Sequence, residues 1–433
     1  MTPLDGLLQS YLDLRWHFDP AAASAAGVVS ADARLGAFDP QAMREHLAAF
    51  RAVAAAVEDL EIEALEDEID RTALLGQVRA TVARLEQERP QARDPGFWIE
   101  HLRDGIAALL ARESDPGGAV AAAAAARITA APAFLDAARA TLRRPPALLV
   151  DRALAMLGPT GEVLVRAATA FGPDVPGGPD ALNPAVTAAL QALTRFGTAL
   201  RDEIEPAPDP ASLALGEERF DRRLHEEHAI RSGTAELWRY ASQLIDETAA
   251  ECRALAREVD AAAEPPACEV AAVRELADAQ LRAADASPSA VRRSLRAPIA
   301  PEGWALYAEQ AVEESGGLVA PESRLRRRRR LLAAAGRLAA DIGLHARGMT
   351  PLDAARLLER STGLERAAAE ATVREVAARP ALAVGAAGLR EILRLRRAYR
   401  AKHGEDPASF HRALLVYAAL SPGLAEWGMG LAE

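Results

Sequence analysis

His225-Glu226-Glu227-His228 is the densest cluster of metal-ligating side chains in the chain. Residues at i and i+3 share a helix face, so the two imidazoles could grip one ion. A single-helix zinc hydrolase instead spaces its histidines at i and i+4 with a general-base glutamate between them, and no H-E-x-x-H occurs. An exposed helix end is therefore the expectation for 225–228. Asp341 and His345 stand one turn apart, where the carboxylate can hydrogen-bond and orient the imidazole. His345 equally suits a helix end before Gly348, as a cation against the dipole. Glu302 and Glu309 are seven residues apart and fall almost on one helical stripe, with Leu306 between them. Directly after Pro301, Glu302 is a first-turn acid that complements the helix dipole. Trp304 and Tyr307, at i and i+3, read as a core pair or as part of a cleft wall. The sequence has no P-loop, no G-x-G-x-x-G after a strand and no G-x-S-x-G elbow.

The elements that must position these residues read as helices. At 433 residues the chain can bury one large core or two moderate ones. Half the residues are hydrophobic but only 4% are aromatic, and the surplus lies in Ala, Leu and Val. Ala and Leu favour helix, Arg and Glu suit its exposed faces, and few segments have the make-up of strands. The expected class is all-α, with little or no sheet. Breakers punctuate the helices: expected segments include Leu7–His17, Pro40–Leu60, Ala64–Glu88, Pro95–Arg112, Ala119–Leu142, Glu217–Leu224 and Thr234–Ala262, with loops at 172–184 and 205–210. Thr350-Pro351-Leu352-Asp353 is a helix start, with Thr as cap, Pro at the first position and Asp facing the dipole. Residues 264–300 read as a linker between an N-terminal helical region, 1–263, and a C-terminal one, 301–433.

Net charge is −11 but unevenly spread. Residues 321–400 hold 18 Arg and eight acids, a net +10, so the remainder carries −21. Arg326–Arg330 cover more than a full helical turn and cannot form one groove-facing stripe, nor are they interleaved with aromatics. A solvated, partly acid-paired helix is expected there, and no nucleic-acid partner. Cys252 and Cys268 lack ligand spacing and read as reduced thiols of a cytoplasmic protein. The N-terminus lacks the basic start and apolar run of a signal peptide. No apolar stretch is expected to reach membrane-span length.

Several long, ordered motifs resemble the DUF885 family of bacterial proteins. They are Asp13-Leu14-Arg15-Trp16 with Asp19-Pro20 and Asp32-Ala33-Arg34-Leu35; Leu213-Ala214-Leu215-Gly216-Glu217-Glu218-Arg219-Phe220; Glu302-Gly303-Trp304-Ala305-Leu306-Tyr307-Ala308-Glu309-Gln310; and Arg337 to His345 with Met349-Thr350. The resemblance implies a largely helical, cleft-containing fold and a gluzincin-like, zinc-dependent hydrolase or peptidase. It makes Glu302 the third metal ligand, and it sets Trp304, Tyr307, Glu309, Arg337, Asp341 and His345 along the cleft.

Two elements of the family pattern are missing. The H-E-x-x-P-G-H-H motif, with the section that supplies most of the family's strands, is replaced by Arg282–Ala300, and no His occurs between Ala229 and Leu344. The family's P-G-Q-A-x-S-Y stands here as Pro380-Ala381-Leu382-Ala383-Val384-Gly385-Ala386. One carboxylate cannot complete a four-coordinate zinc site, so zinc is not expected. The departures imply a catalytically inactive member that binds a peptide, a small molecule or a protein such as an intact paralogue. Two other readings stay open: a metal-dependent hydrolase that uses His225, His228 and His345 or is completed by a partner, and an oligomeric helical scaffold.

Overall fold

The computed structural model describes residues 2–112, 118–259, 269–282 and 286–432. Cys268 and Glu264-Pro265-Pro266 lie outside the described residues. The described chain is helical from end to end, as its composition requires, and holds no strand; its one β contact is an isolated bridge between Pro146 and Ala207. The chain forms two compact units. One comprises Met1–Leu8, Val57–Ala80 and Leu213–Glu433; the other comprises Gln9–Ala56 and Thr81–Ser212.

In the second unit the helices Pro95–Leu110, Ala119–Thr141, Ala147–Phe171 and Pro179–Asp202 pack together. Phe38 meets Phe97 and Trp98 of the first of these helices and Phe134 of the second edge to face. Arg127, buried in the Ala119–Thr141 helix, donates to the carbonyls of Arg34, Gly105, Pro20 and Ala31 and to Ser24 Oγ. Those acceptors answer the fork of guanidinium donors that burial would otherwise strand.

Two sequence expectations need correction here. The Ala119–Thr141 helix is long and apolar enough to span a membrane by length and composition, although no such stretch was expected. Pro132 does not interrupt it, because the buried face of Ala124, Ile128, Ala131, Phe134 and Leu135 holds the turn in place. The helix Ala147–Phe171 runs through Gly158-Pro159 for the same reason, with Leu149, Ala153, Met156 and Leu164 on its buried face. Residues 179–184, expected as loop, are the first turns of the Pro179–Asp202 helix.

The first unit carries the residues of chemical interest. Its two apolar clusters are built on the Thr234–Leu255, Ile299–Glu314, Pro321–Ala346 and Gly385–His403 helices. Residues 264–300, expected as linker, contain the helices Glu269–Arg282 and Ala290–Ser294. Ala277 and Leu281 bury one face of the former against Trp304 and Tyr307. Thr350 caps its helix, accepting from the Asp353 N–H at 3.1 Å with Pro351 following. The arginine run is largely paired: Arg327 and Arg328 each reach Glu313 at 2.6 Å, and Arg330 reaches Glu309 at 3.0 Å.

Candidate functional site

The segment Glu302–Gln310 forms most of the Ile299–Glu314 helix, and packing dominates its role. Gly303 crosses Gly388 of the Gly385–His403 helix so closely that a Cβ on either would sit 2.8 Å from backbone of the other helix. Of the two readings open for Trp304 and Tyr307, core pair or cleft wall, the structure has the core pair: both are buried in the core. Trp304 Nε1 donates to Gln280 at 3.2 Å and Tyr307 pairs with His411 Nε2 at 2.8 Å, so their polar atoms are satisfied internally. Glu309 is fully buried, with its ion pair to Arg330 and, among the described residues, no well-aligned hydrogen bond to either oxygen. Loss of solvation pushes its carboxyl up to about 7, against the pull of Arg330 and Arg274.

Glu302 is exposed. Its Oε2 lies 2.7 Å from where a Cβ of Gly385 would stand. Its carboxylate thus rests against the first residue of the 19-residue Gly385–His403 helix, whose positive end favours an anion. Among the described residues no three His, Cys, Asp or Glu side chains converge to hold a metal ion.

Asp341 and His345 do not hydrogen-bond: His345 Nε2 stands 3.8 Å from Asp341 Oδ1. Each binds backbone instead. The two oxygens of Asp341 accept from the N–H groups of Ala381 and Ala383 at 3.2 and 3.1 Å. His345 faces the carbonyls of Leu213 at 3.0 Å and Val376 at 3.4 Å. His228 Nε2 meets the Ala381 carbonyl at 2.7 Å. The turn at 380–384 is therefore held from two sides, with Ala381 in the left-handed region at φ 58°, a conformation that such contacts must impose on a residue bearing a Cβ. Burial pushes the Asp341 carboxyl up to about 7 against its two N–H donors, and keeps the His228 imidazole below its usual range. Arg337 points to solvent one turn before Asp341.

The expectation of an exposed end at 225–228 holds for His225 and fails for His228, which is fully buried. Glu227 is clamped by Arg223 at 2.8 and 2.5 Å. Beside this helix end lies a cavity of about 400 Å³, the size of a small-ligand site. Its walls come from residues 72–79, 225–231, 295–297 and 419–432, all in the first unit. Leu75, Leu420, Leu424 and Trp427 make the lining mainly apolar, and Ser421, His225, Glu226 and Arg231 supply polar groups. Sequence reasoning missed the cavity, because Ser421 and Trp427 lie in no motif and reach the site only through tertiary packing.

Comparison with solved structures places this architecture among known folds. A structure from Shewanella oneidensis, described as a "putative lipoprotein of unknown function", superposes with a TM-score of 0.71 at 16% identity and covers 100% of both chains. One from Colwellia psychrerythraea, described as a "putative lipoprotein", gives a TM-score of 0.76 at 13% identity over 99% of both. These similarities concern the fold. No curated protein matches the sequence. The model of the DUF885 family, described as "Bacterial protein of unknown function", matches residues 20–297 and 278–426. With nearly the whole length matched, the chain belongs to the DUF885 family.

Proposed function

We propose that this protein is a non-catalytic member of its family that acts by binding a ligand. The observation that carries this reading is the setting of Glu302, an exposed carboxylate lying against the start of the Gly385–His403 helix. The residues present do not fit the zinc centre that the resemblance implies. The motif helix persists for reasons of packing: Gly303 for the crossing, Trp304 and Tyr307 for the core. Asp341 and His228, which a hydrolase could use, fasten a backbone turn. The family model matches in two stretches that overlap at 278–297, within the part of the chain where the sequence departs from the family pattern. The cavity beside residues 225–231 supplies a place for a ligand.

The test is turnover. Purified protein, with and without added zinc, is expected to hydrolyse blocked peptides and activated esters no faster than buffer does. Turnover that disappears in Glu302→Gln, with the melting temperature unchanged, would restore Glu302 to a mechanism and overturn the reading.

A further inference from the structure

We infer that the cavity beside the C-terminal end of the Glu217–His228 helix binds a free amino acid with an apolar side chain. This inference rests on the binding reading above and names its site and ligand class. The first observation is a buried hydroxyl. Ser421 is 2% exposed, lines the cavity, and its Oγ has no hydrogen-bond partner among the described residues. A hydroxyl removed from water without a partner is costly, and a ligand or a cavity water with a polar group can satisfy it.

The second observation is the balance of charge on the wall. Four charged side chains line the cavity besides His225: Arg79, Glu226, Glu227 and Arg231. Two are neutralised from outside it, Arg79 by Glu58 at 2.7 Å and Glu227 by Arg223. Among the described residues Arg231 has only a long contact, 3.9 Å, to Glu426, whose carboxylate is taken by both terminal nitrogens of Arg394. Glu226 has no ion-pair partner among the described residues. One cation and one anion thus remain for a ligand: Glu226 in the last turn of the helix and Arg231 three residues past its end. The complementary ligand is neutral overall with separated opposite charges: its carboxylate meets Arg231 and its ammonium meets Glu226. The remaining surface, from Leu75, Leu420, Leu424 and Trp427, receives an apolar side chain.

The experiment titrates the full-length protein with L-leucine and L-phenylalanine by calorimetry, with Trp427 fluorescence as a second signal. One-to-one binding is expected. N-acetyl-L-leucine, which lacks the ammonium, and L-leucinamide, which lacks the carboxylate, are each expected to bind at least about tenfold more weakly. Arg231→Glu is expected to weaken L-leucine by about tenfold or more. Arg231 is 71% exposed, so this variant folds. Ala73→Trp, which fills the cavity, is expected to abolish binding, and Arg412→Glu, outside it and 75% exposed, to leave it unchanged. Equal binding by the blocked leucines would overturn the ligand class. Undiminished binding in both Arg231→Glu and Ala73→Trp would overturn the site, and absence of binding by either amino acid would overturn the inference whole. Hydrolytic turnover is read separately, so the failure of this proposal and that of the non-catalytic reading are distinguishable.

Discussion

Replacing Gly388 by valine is expected to lower the stability of the protein by about 3 kcal/mol or more, as overpacking against unyielding backbone does. A Cβ at this position would lie 2.8 Å from the Ile299 carbonyl oxygen and 2.9 Å from the Gly303 Cα. Neither is the tip of a side chain that could swing away, so the Ile299–Glu314 and Gly385–His403 helices must separate, and interior packing density makes that separation costly. Gly6, in the Pro3–Phe18 helix with nothing near its would-be Cβ, is the control. Gly6→Ala is expected to stabilise by about 0.5–1 kcal/mol through the unfolded state. Urea unfolding of both variants checks the pair, and equal stability of Gly388→Val and wild type would contradict the crossing.

Stability near neutral pH is expected to fall as pH rises, in part through Glu309. Its folded pKa, about 7, lies above its unfolded value near 4.5. Between those values the native state binds more protons than the unfolded chain, so unfolding becomes easier with rising pH, and the penalty is complete above about 7. The shift corresponds to on the order of 3 kcal/mol. Asp341, also about 7, acts with the same sign, whereas His46, His228 and His411, held below their usual range chiefly by burial, act with the opposite sign below pH 6.5. A difference measurement isolates Glu309. The stability of Glu309→Gln relative to wild type is expected to grow by on the order of 3 kcal/mol between pH 4.5 and pH 8. A difference that stays constant over that range would mean that the carboxyl is ionised throughout.

Much of the fold was legible because the signals are local. Ala and Leu abundance gave the helical class, and Thr350-Pro351 gave a helix start that its cap geometry repeats. The arginine run at 326–330 was legible in kind, since five successive helical residues must point around the axis; three of them find acids on neighbouring helices. What escaped the sequence depends on contacts between distant residues. Residues 172–184 read as one loop from their Pro and Gly content, yet burial of Leu182 and Val186 holds 179–184 in the start of a helix. The helix Glu269–Arg282 lay inside an expected linker, because its apolar face finds Trp304 and Tyr307 only in the folded chain. The residues at 380–384 looked like a decayed motif, and their organising contacts come from His228, 153 residues away, and Asp341, 40 and 42 residues away. Glu302 was found at once by its motif, but its exposure and its place beside Gly385 are properties of the helix crossing.

The central claim is that Glu302 stands without the imidazole companions that a zinc site requires. It is tested most directly by elemental analysis of protein purified with excess zinc and then dialysed against a weak chelator. The account predicts zinc far below one equivalent per chain, unchanged by Glu302→Gln. Close to one tightly held equivalent, lost in that variant, would contradict it.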